Sequence, residues 1–180
     1  MFKFCCNNTM DVSSTIRVDY SAKAYWGPRL WVIFHQLAEI SDRRDMAMLW
    51  NNLMRLTAAI MPCEQCRIHL NAYITSHTFL RFSKIHTITG LMVKERVTRE
   101  LYHLHNEVNT RLGKPVMSSE TYDALYKKPL GEALCVIHKN LDEVKAAWTP
   151  LVHGAINGAV FTDWKKHLNM MIALATGGPA

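Results

Sequence analysis

Apolar residues recur through most of this chain at the three- and four-residue spacing of helices. From Gly27-Pro28 onward, Leu30, Trp31, Phe34, Leu37 and Ala38 keep that period. A proline suits a first helical turn, where the amide hydrogen it lacks would have had no partner, so a first helix is expected to open at Gly27-Pro28. A second is expected from Asp42 to Ile60, with Met46, Leu49, Trp50, Leu53, Leu56, Thr57 and Ile60 on one face, stopping near Pro62. A third begins at once, with Cys63 and Cys66 in its first turn and Leu70, Tyr73 and Ile74 continuing the apolar stripe. A fourth runs from Lys94 to Leu112 and ends at Leu112-Gly113-Lys114-Pro115, where glycine closes the helix and proline prevents its return. The short connections predict that these four pack antiparallel.

Beyond Pro129, Leu134, Ile137, Leu141 and Val144 resume the helical period. After Pro150 a further stretch reaches Ala175 and ends at Gly177-Gly178-Pro179. Residues 129–180 therefore read as a two-helix extension, with Gly154 and Gly158 as loop glycines. Residues 1–20 are polar with scattered apolar positions and read as a flexible arm. The expected division is the arm, a domain over 21–128, and the extension.

A chain of 180 residues that is 49% hydrophobic is long enough to bury a core. Its net charge of +6 comes from 21 basic and 15 acidic residues in short groups such as Arg43-Arg44, Lys127-Lys128 and Lys165-Lys166. With no concentrated basic stripe and no reading motif, nucleic acid is not an expected partner. No apolar run approaches the roughly 18 residues of a membrane span. The opening MFKFCCNNTM lacks the apolar core of a secretory signal, so the chain reads as soluble and unexported by the ordinary route.

The five cysteines are too few and too uneven for a disulfide framework: Cys5 and Cys6 are adjacent, Cys63 and Cys66 are paired, and Cys135 stands alone. Two cysteines three apart at a helix start lie close enough to form a disulfide. The unpaired amide hydrogens and positive dipole end of the helix stabilise a thiolate there. That points to redox chemistry. The same spacing supplies half of a zinc site, with His69 or His77 as further ligands, so a non-enzymatic, zinc-stabilised helical interaction module is the alternative. A thioredoxin-like fold would want a strand before the motif, and the preceding twenty residues read as helix.

Three segments then fall into one order. Trp26 to Ala38, WGPRLWVIFHQLA, carries Gly27, Trp31 and His35 as Gly-x-x-x-Trp-x-x-x-His. Met61 to Leu70, MPCEQCRIHL, carries Pro-Cys-x-x-Cys, and His103 to Pro115, HLHNEVNTRLGKP, carries His-Asn-x-Val-Asn. In this order they resemble the FAD-linked sulfhydryl oxidases of the ERV/ALR type, over roughly Ala22 to Tyr126. Trp31 and His35 lie four residues apart, as do His105 and Asn109, so each pair projects from one helix face, and packed polar side chains need partners.

The resemblance implies an all-α fold: a four-helix bundle binding FAD, with a short additional helix and the C-terminal helical extension. It implies Trp31 and His35 along the flavin nucleotide, His105, Asn106, Val108 and Asn109 on the opposite side, and Lys114 near the phosphates. Lys23 stands where the family often has a basic residue, Tyr126 where it often has a tryptophan near the adenine, and Gly27 would allow close backbone approach. By the same resemblance, a thiol of a protein substrate attacks Cys63, Cys66 is released to face the flavin, and electrons pass to oxygen to give hydrogen peroxide. A homodimer formed through the bundle is implied as well.

This chain departs from the family in its cysteines. Many cellular members carry a structural disulfide from just before the His-Asn signature to just after the Lys-Pro, where Tyr102 and the Val116 to Ser119 region stand here. Adjacent Cα atoms about 3.8 Å apart fall short of a disulfide span, so Cys5 and Cys6 are not expected to bond to each other as a relay pair. Cys135 reads as a buried helix residue. A compact member without the standard relay resembles virus-encoded ones, which implies host cytoplasm or virion, with the mitochondrial intermembrane space as the alternative.

Overall fold

The structure is a computed structural model that describes residues 19, 22–76, 89–152 and 154–177. Cys5, Cys6 and His77, and all of the N-terminal arm except Asp19, lie outside these. Among the described residues the regular structure is entirely helical, as expected: α1 (Lys23–Glu39), α2 (Met46–Ile60), α3 (Glu64–Ser76), α4 (Gly90–Arg111), α5 (Ser119–Tyr126), α6 (Leu130–Trp148) and α7 (Gly158–Ala175). A single 3-10 turn, Thr149–Leu151, follows α6.

Three helix starts differ from the sequence pattern, one through tertiary contacts and two through local turn and cap hydrogen bonds. α1 begins at Lys23 rather than Gly27, leaving Pro28 inside the helix. The added turn is held from outside: Trp26 is buried edge-on against Trp148 at 5.4 Å, the Tyr25 hydroxyl donates to Glu143, and Arg29 pairs with the same carboxylate. α2 begins at Met46 rather than Asp42 because Arg43 folds back onto Asp45, at 3.1 and 2.6 Å, in a turn. α4 begins at Gly90 rather than Lys94, capped by the Thr89 hydroxyl, which accepts the Met92 amide at 3.2 Å. Glycine is required there, since a Cβ would stand 1.6 Å from the Asp42 carbonyl oxygen.

The order of contacts gives the packing directions. Trp31 meets His105 and Glu39 meets Lys94, so α1 and α4 run antiparallel. Trp26 meets Trp148 while Arg29 meets Glu143, which sets α6 antiparallel to α1. α7 lies antiparallel to α2: His167 Nε2 is 2.7 Å from the Leu49 carbonyl oxygen, and Trp164 Nε1 donates to Thr57 Oγ1 at 2.9 Å.

The two C-terminal helices share one core with the bundle. Ile137, Leu141, Val144, Trp148, Trp164 and Leu168 are fully buried in the same cluster as Ile33, Leu37, Trp50 and Leu53. α5 forms a smaller cluster of Met117, Tyr122 and Tyr126, against which Val32 and Tyr102 pack.

Candidate functional site

α2 ends at Ile60, and after Met61 and Pro62 the chain turns directly into α3. Cys63 immediately precedes that helix and Cys66 lies in its first turn, joined by a disulfide with Cα atoms 5.2 Å apart. The Cys66 amide donates to Cys63 Sγ at 3.2 Å. Both sulfurs are half-buried and pack against the main core, while Glu64 and Gln65 between them are exposed. The disulfide is thus partly open to solvent, with a helix N-terminus beside it that would stabilise a thiolate released there on reduction.

Five rings assemble between α1, α4 and α5. Trp31 stacks on His105 with centroids 4.2 Å apart and planes within 7°. His105 lies 5.2 Å from His35, and His35 lies 4.4 Å from Tyr126 at 30°. Tyr122 meets His35 edge-on at 5.2 Å and donates its hydroxyl to Glu39 at 3.0 Å. Trp31, His35 and Glu39 are successive fourth residues of α1, so one face supplies an aromatic, an imidazole and a carboxylate in a row.

The two imidazoles are neutral near pH 7. Burial drives the His35 pKa down to about 3, with the His105 ring opposing its protonation further. Burial likewise drives His105 down to about 4, with the Lys114 charge adding to it. His35 Nε2 and His105 Nδ1 share a hydrogen bond at 2.9 Å, in which one donates and the other accepts. The second nitrogen of His35, Nδ1, is buried with no hydrogen-bond partner, a costly condition that a bound ligand with a polar ring atom would relieve.

After α4 the chain turns at Gly113, whose φ of 66° lies in the left-handed region, and the Lys114 amide donates to the Asn109 carbonyl at 2.8 Å. Asn106 and Tyr102 hold the far end of this loop. Both amide atoms of Asn106 bond the Met117 backbone, at 2.8 and 3.0 Å, and the Tyr102 hydroxyl donates to the same carbonyl at 2.7 Å. Beyond Tyr122 a groove of about 780 Å³ opens between α4 and α5, bordered by Tyr102 and Tyr122 and by Lys94, Arg99 and Lys127.

Trp31, His35, His105 and Tyr126, singled out in the sequence, are thus brought together, with Lys114 exposed at the edge of His105. Val108 packs on the core one turn further along α4, and Asn109 secures the turn through its carbonyl. Lys23 is exposed at the start of α1, two turns and roughly 12 Å before Trp31. Gly27 lies one turn after Lys23 on the same helix, and only Lys23 Cγ, at 3.8 Å, stands near the place of its missing side chain. Tyr122, Glu39 and Gln36 were not foreseen. Tyr122 could have been found from its four-residue spacing to Tyr126, and Glu39 from its spacing to His35. Gln36, which donates to the Leu125 carbonyl of α5 at 3.2 Å, leaves no signal in sequence.

These residues fit a flavin nucleotide on three counts. They offer flat rings for a planar ring system, an orphaned buried imidazole nitrogen for a ring heteroatom, and a cation beside them for phosphate. Cys63 and Cys66 are bonded to each other, and no group of three histidine, cysteine or acidic side chains gathers among the described residues. Nor is any helix among the described residues long and apolar enough to cross a membrane.

Residues 28–127 match the profile of the Erv1/Alr family. The FAD-linked sulfhydryl oxidase of African swine fever virus, isolate Pig/Kenya/KEN-50/1950, is 25% identical over 130 residues, covering 71% of this chain and 98% of its own. The protein of the same name from isolate Warthog/Namibia/Wart80/1980 shows the same identity and coverage. A relative in Invertebrate iridescent virus 3 is 25% identical over 112 residues, covering 60% of this chain and 70% of its own. No solved structure matches.

Proposed function

This chain belongs to the Erv1/Alr family, and from that membership and the site's geometry we propose that it is an FAD-linked sulfhydryl oxidase that forms disulfide bonds in protein thiols. The single observation that carries the reading is the half-buried Cys63–Cys66 disulfide at the start of α3, packed on the same core as Trp31, the first ring of the column that His105, His35 and Tyr126 continue.

A substrate thiolate attacks Cys63 Sγ. The Cys63–Cys66 bond breaks, and Cys66 leaves as a thiolate stabilised by the N-terminus of α3. A second substrate thiolate then attacks the substrate sulfur of the mixed disulfide, releasing Cys63. The products are one substrate disulfide and a reduced Cys63/Cys66 pair holding two electrons. FAD, when bound, supplies the acceptor that links those two electrons to oxygen, with hydrogen peroxide as product.

The chain's own residues hold the cofactor. Trp31, His35, His105 and Tyr126 offer their ring faces, and neutral His35 presents Nδ1. Lys114 approaches the phosphates, with Lys23 as a second cation. Val108 and Asn109 line the same side as His105, and Gly27 leaves its stretch of α1 without a side chain. Asn106 acts through the loop: it fixes Met117 and thereby the segment that carries Lys114. Residues 21–128 contain all of these groups.

Purified protein is expected to be yellow and to consume oxygen with a dithiol, and Cys66→Ser is expected to abolish uptake while keeping the colour. A colourless protein that refuses added FAD and contains zinc would transfer the assignment to the metal-stabilised module.

A further inference from the structure

Two buried polar atoms at the seam between α1 and α5 have no hydrogen-bond partner. Gln36 is 1% exposed; its Nε2 donates to the Leu125 carbonyl at 3.2 Å, yet its Oε1 bonds nothing. His35 is fully buried; its Nε2 is engaged with His105 Nδ1, and its own Nδ1 is the second orphan. The two residues are consecutive on α1 and meet consecutive residues of α5, since His35 stacks on Tyr126 and Gln36 bonds Leu125. Buried polar groups in folded proteins are almost always paired, so two orphans side by side are a cost that a bound ligand would remove.

The hydrogen-bonding roles narrow the ligand. The Leu125 carbonyl fixes which way the Gln36 amide points, and leaves Oε1 as an acceptor only. A neutral imidazole carries one ring proton. If His105 Nδ1–H donates to His35 Nε2, the His35 proton sits on Nδ1 and that atom donates. A ligand that satisfies both atoms offers a donor and an acceptor on one edge. The adenine base does, with its exocyclic amine and neighbouring ring nitrogens, and so does the pyrimidine edge of a flavin ring.

Position decides between them. Cys63, Cys66 and Trp31 pack on the main core, whereas Tyr126, the last ring of the column, belongs to the small cluster formed by α5. Lys114 stands beside His105, an inner ring of the column. A dinucleotide whose redox ring reaches the disulfide therefore has its phosphates near the middle and its second base at α5.

Resting on the assignment of FAD to this site, we propose that Gln36 selects the adenine base: its Oε1 accepts from the exocyclic amine, while His35 Nδ1–H donates to a ring nitrogen on the same edge. α5 seals both atoms from solvent, so the base reaches them by displacing this eight-residue helix. The chain then distinguishes FAD from flavins that carry another base.

The test strips the full chain of flavin and titrates it with FAD and with the analogue in which hypoxanthine replaces adenine, following flavin fluorescence. The analogue has a carbonyl in place of the amine, so it sets an acceptor against Gln36 Oε1 and leaves the flavin ring and phosphates unchanged. The wild type is expected to bind FAD about tenfold more tightly, the effect of one buried hydrogen bond. Gln36→Met, which keeps the length of the side chain without its amide, is expected to remove that preference; Gln36→Ala replaces it if the first variant does not fold. A Gln36 that only holds α5 would weaken both flavins equally and leave their ratio at the wild-type value, which overturns the proposal. Equal affinities in the wild type also overturn it and leave the oxidase reading standing, whereas a wild-type chain that binds neither flavin overturns both.

Discussion

The hydroxyl of Tyr102 donates to the carbonyl of Met117 at 2.7 Å, tying α4 to the loop that follows it. These two residues stand where the cellular relatives' structural disulfide would be expected. Here a hydrogen bond joins the two positions, and the side chain of Asn106 adds two more to the Met117 backbone. Tyr102→Phe is expected to cost about 1 kcal/mol in urea unfolding, since Met117 keeps its bond from Asn106. Asn106→Ala leaves the Met117 amide without its partner and is expected to cost more, about 1–3 kcal/mol. The two changes should not add, because they share one carbonyl. FAD affinity should fall further for Asn106→Ala than for Tyr102→Phe, which a titration of apoprotein with flavin would show.

The sequence carried the helix count and most of the ring column, because Trp31, His35 and His105 sit in motifs whose spacing is itself the geometry. Tyr126 joined them through resemblance. What spacing could not show was anything decided across the fold. Trp26 stands just ahead of the expected helix start until Trp148 is placed against it. Gly90 reads as ordinary punctuation until the Asp42 carbonyl is found where its side chain would go. Gln36 is invisible for the same reason: its partner is a backbone carbonyl 89 residues away.

Acid should weaken the protein through its imidazoles. The folded-state pKa values of His35 and His105, about 3 and about 4, lie below the 6.5 of the unfolded chain. Above pH 6.5 both states are neutral there and the two groups contribute nothing. Below it the unfolded chain takes up protons first, so stability falls as pH drops, until the folded groups also titrate. His35 alone sets a limiting slope of about 1.4 kcal/mol per pH unit over that window, and partly exposed His105 adds less. Unfolding midpoints measured from pH 7 to pH 4 should show this loss, and His35→Asn should flatten it.

Thr57 connects α2 to α7 through one hydroxyl, which donates to the Leu53 carbonyl and accepts from the Trp164 indole. Thr57→Val keeps the volume but strands a fully buried N–H, and is expected to cost about 1–3 kcal/mol. Thr57→Ser, which keeps the hydroxyl, should cost less. Chemical denaturation of the pair separates the hydrogen bond from the packing.

Two glycines should respond differently to alanine. Gly113 has a positive φ but nothing within 4 Å of an added Cβ, so Gly113→Ala should cost about 1 kcal/mol and show mainly as weaker flavin binding through Lys114. At Gly90 the new atom would meet the Asp42 carbonyl carbon at 2.4 Å as well as its oxygen. Gly90→Ala must therefore displace either the start of α4 or the α1–α2 turn, and a markedly larger fall in melting temperature is expected.

The second half of α1 has no idle side. One stripe presents Trp31, His35 and Glu39 to the site, the opposite one packs Trp26, Leu30, Ile33 and Leu37 toward the C-terminal helices, Gln36 holds α5, and Phe34 meets Trp50 of α2. Every residue from Ile33 to Ile40 is buried. A helix so enclosed has almost no room for genetic drift. In a saturation mutagenesis screen this stretch should emerge as the least permissive segment of the chain, with silent changes outnumbering accepted amino-acid replacements at nearly every codon.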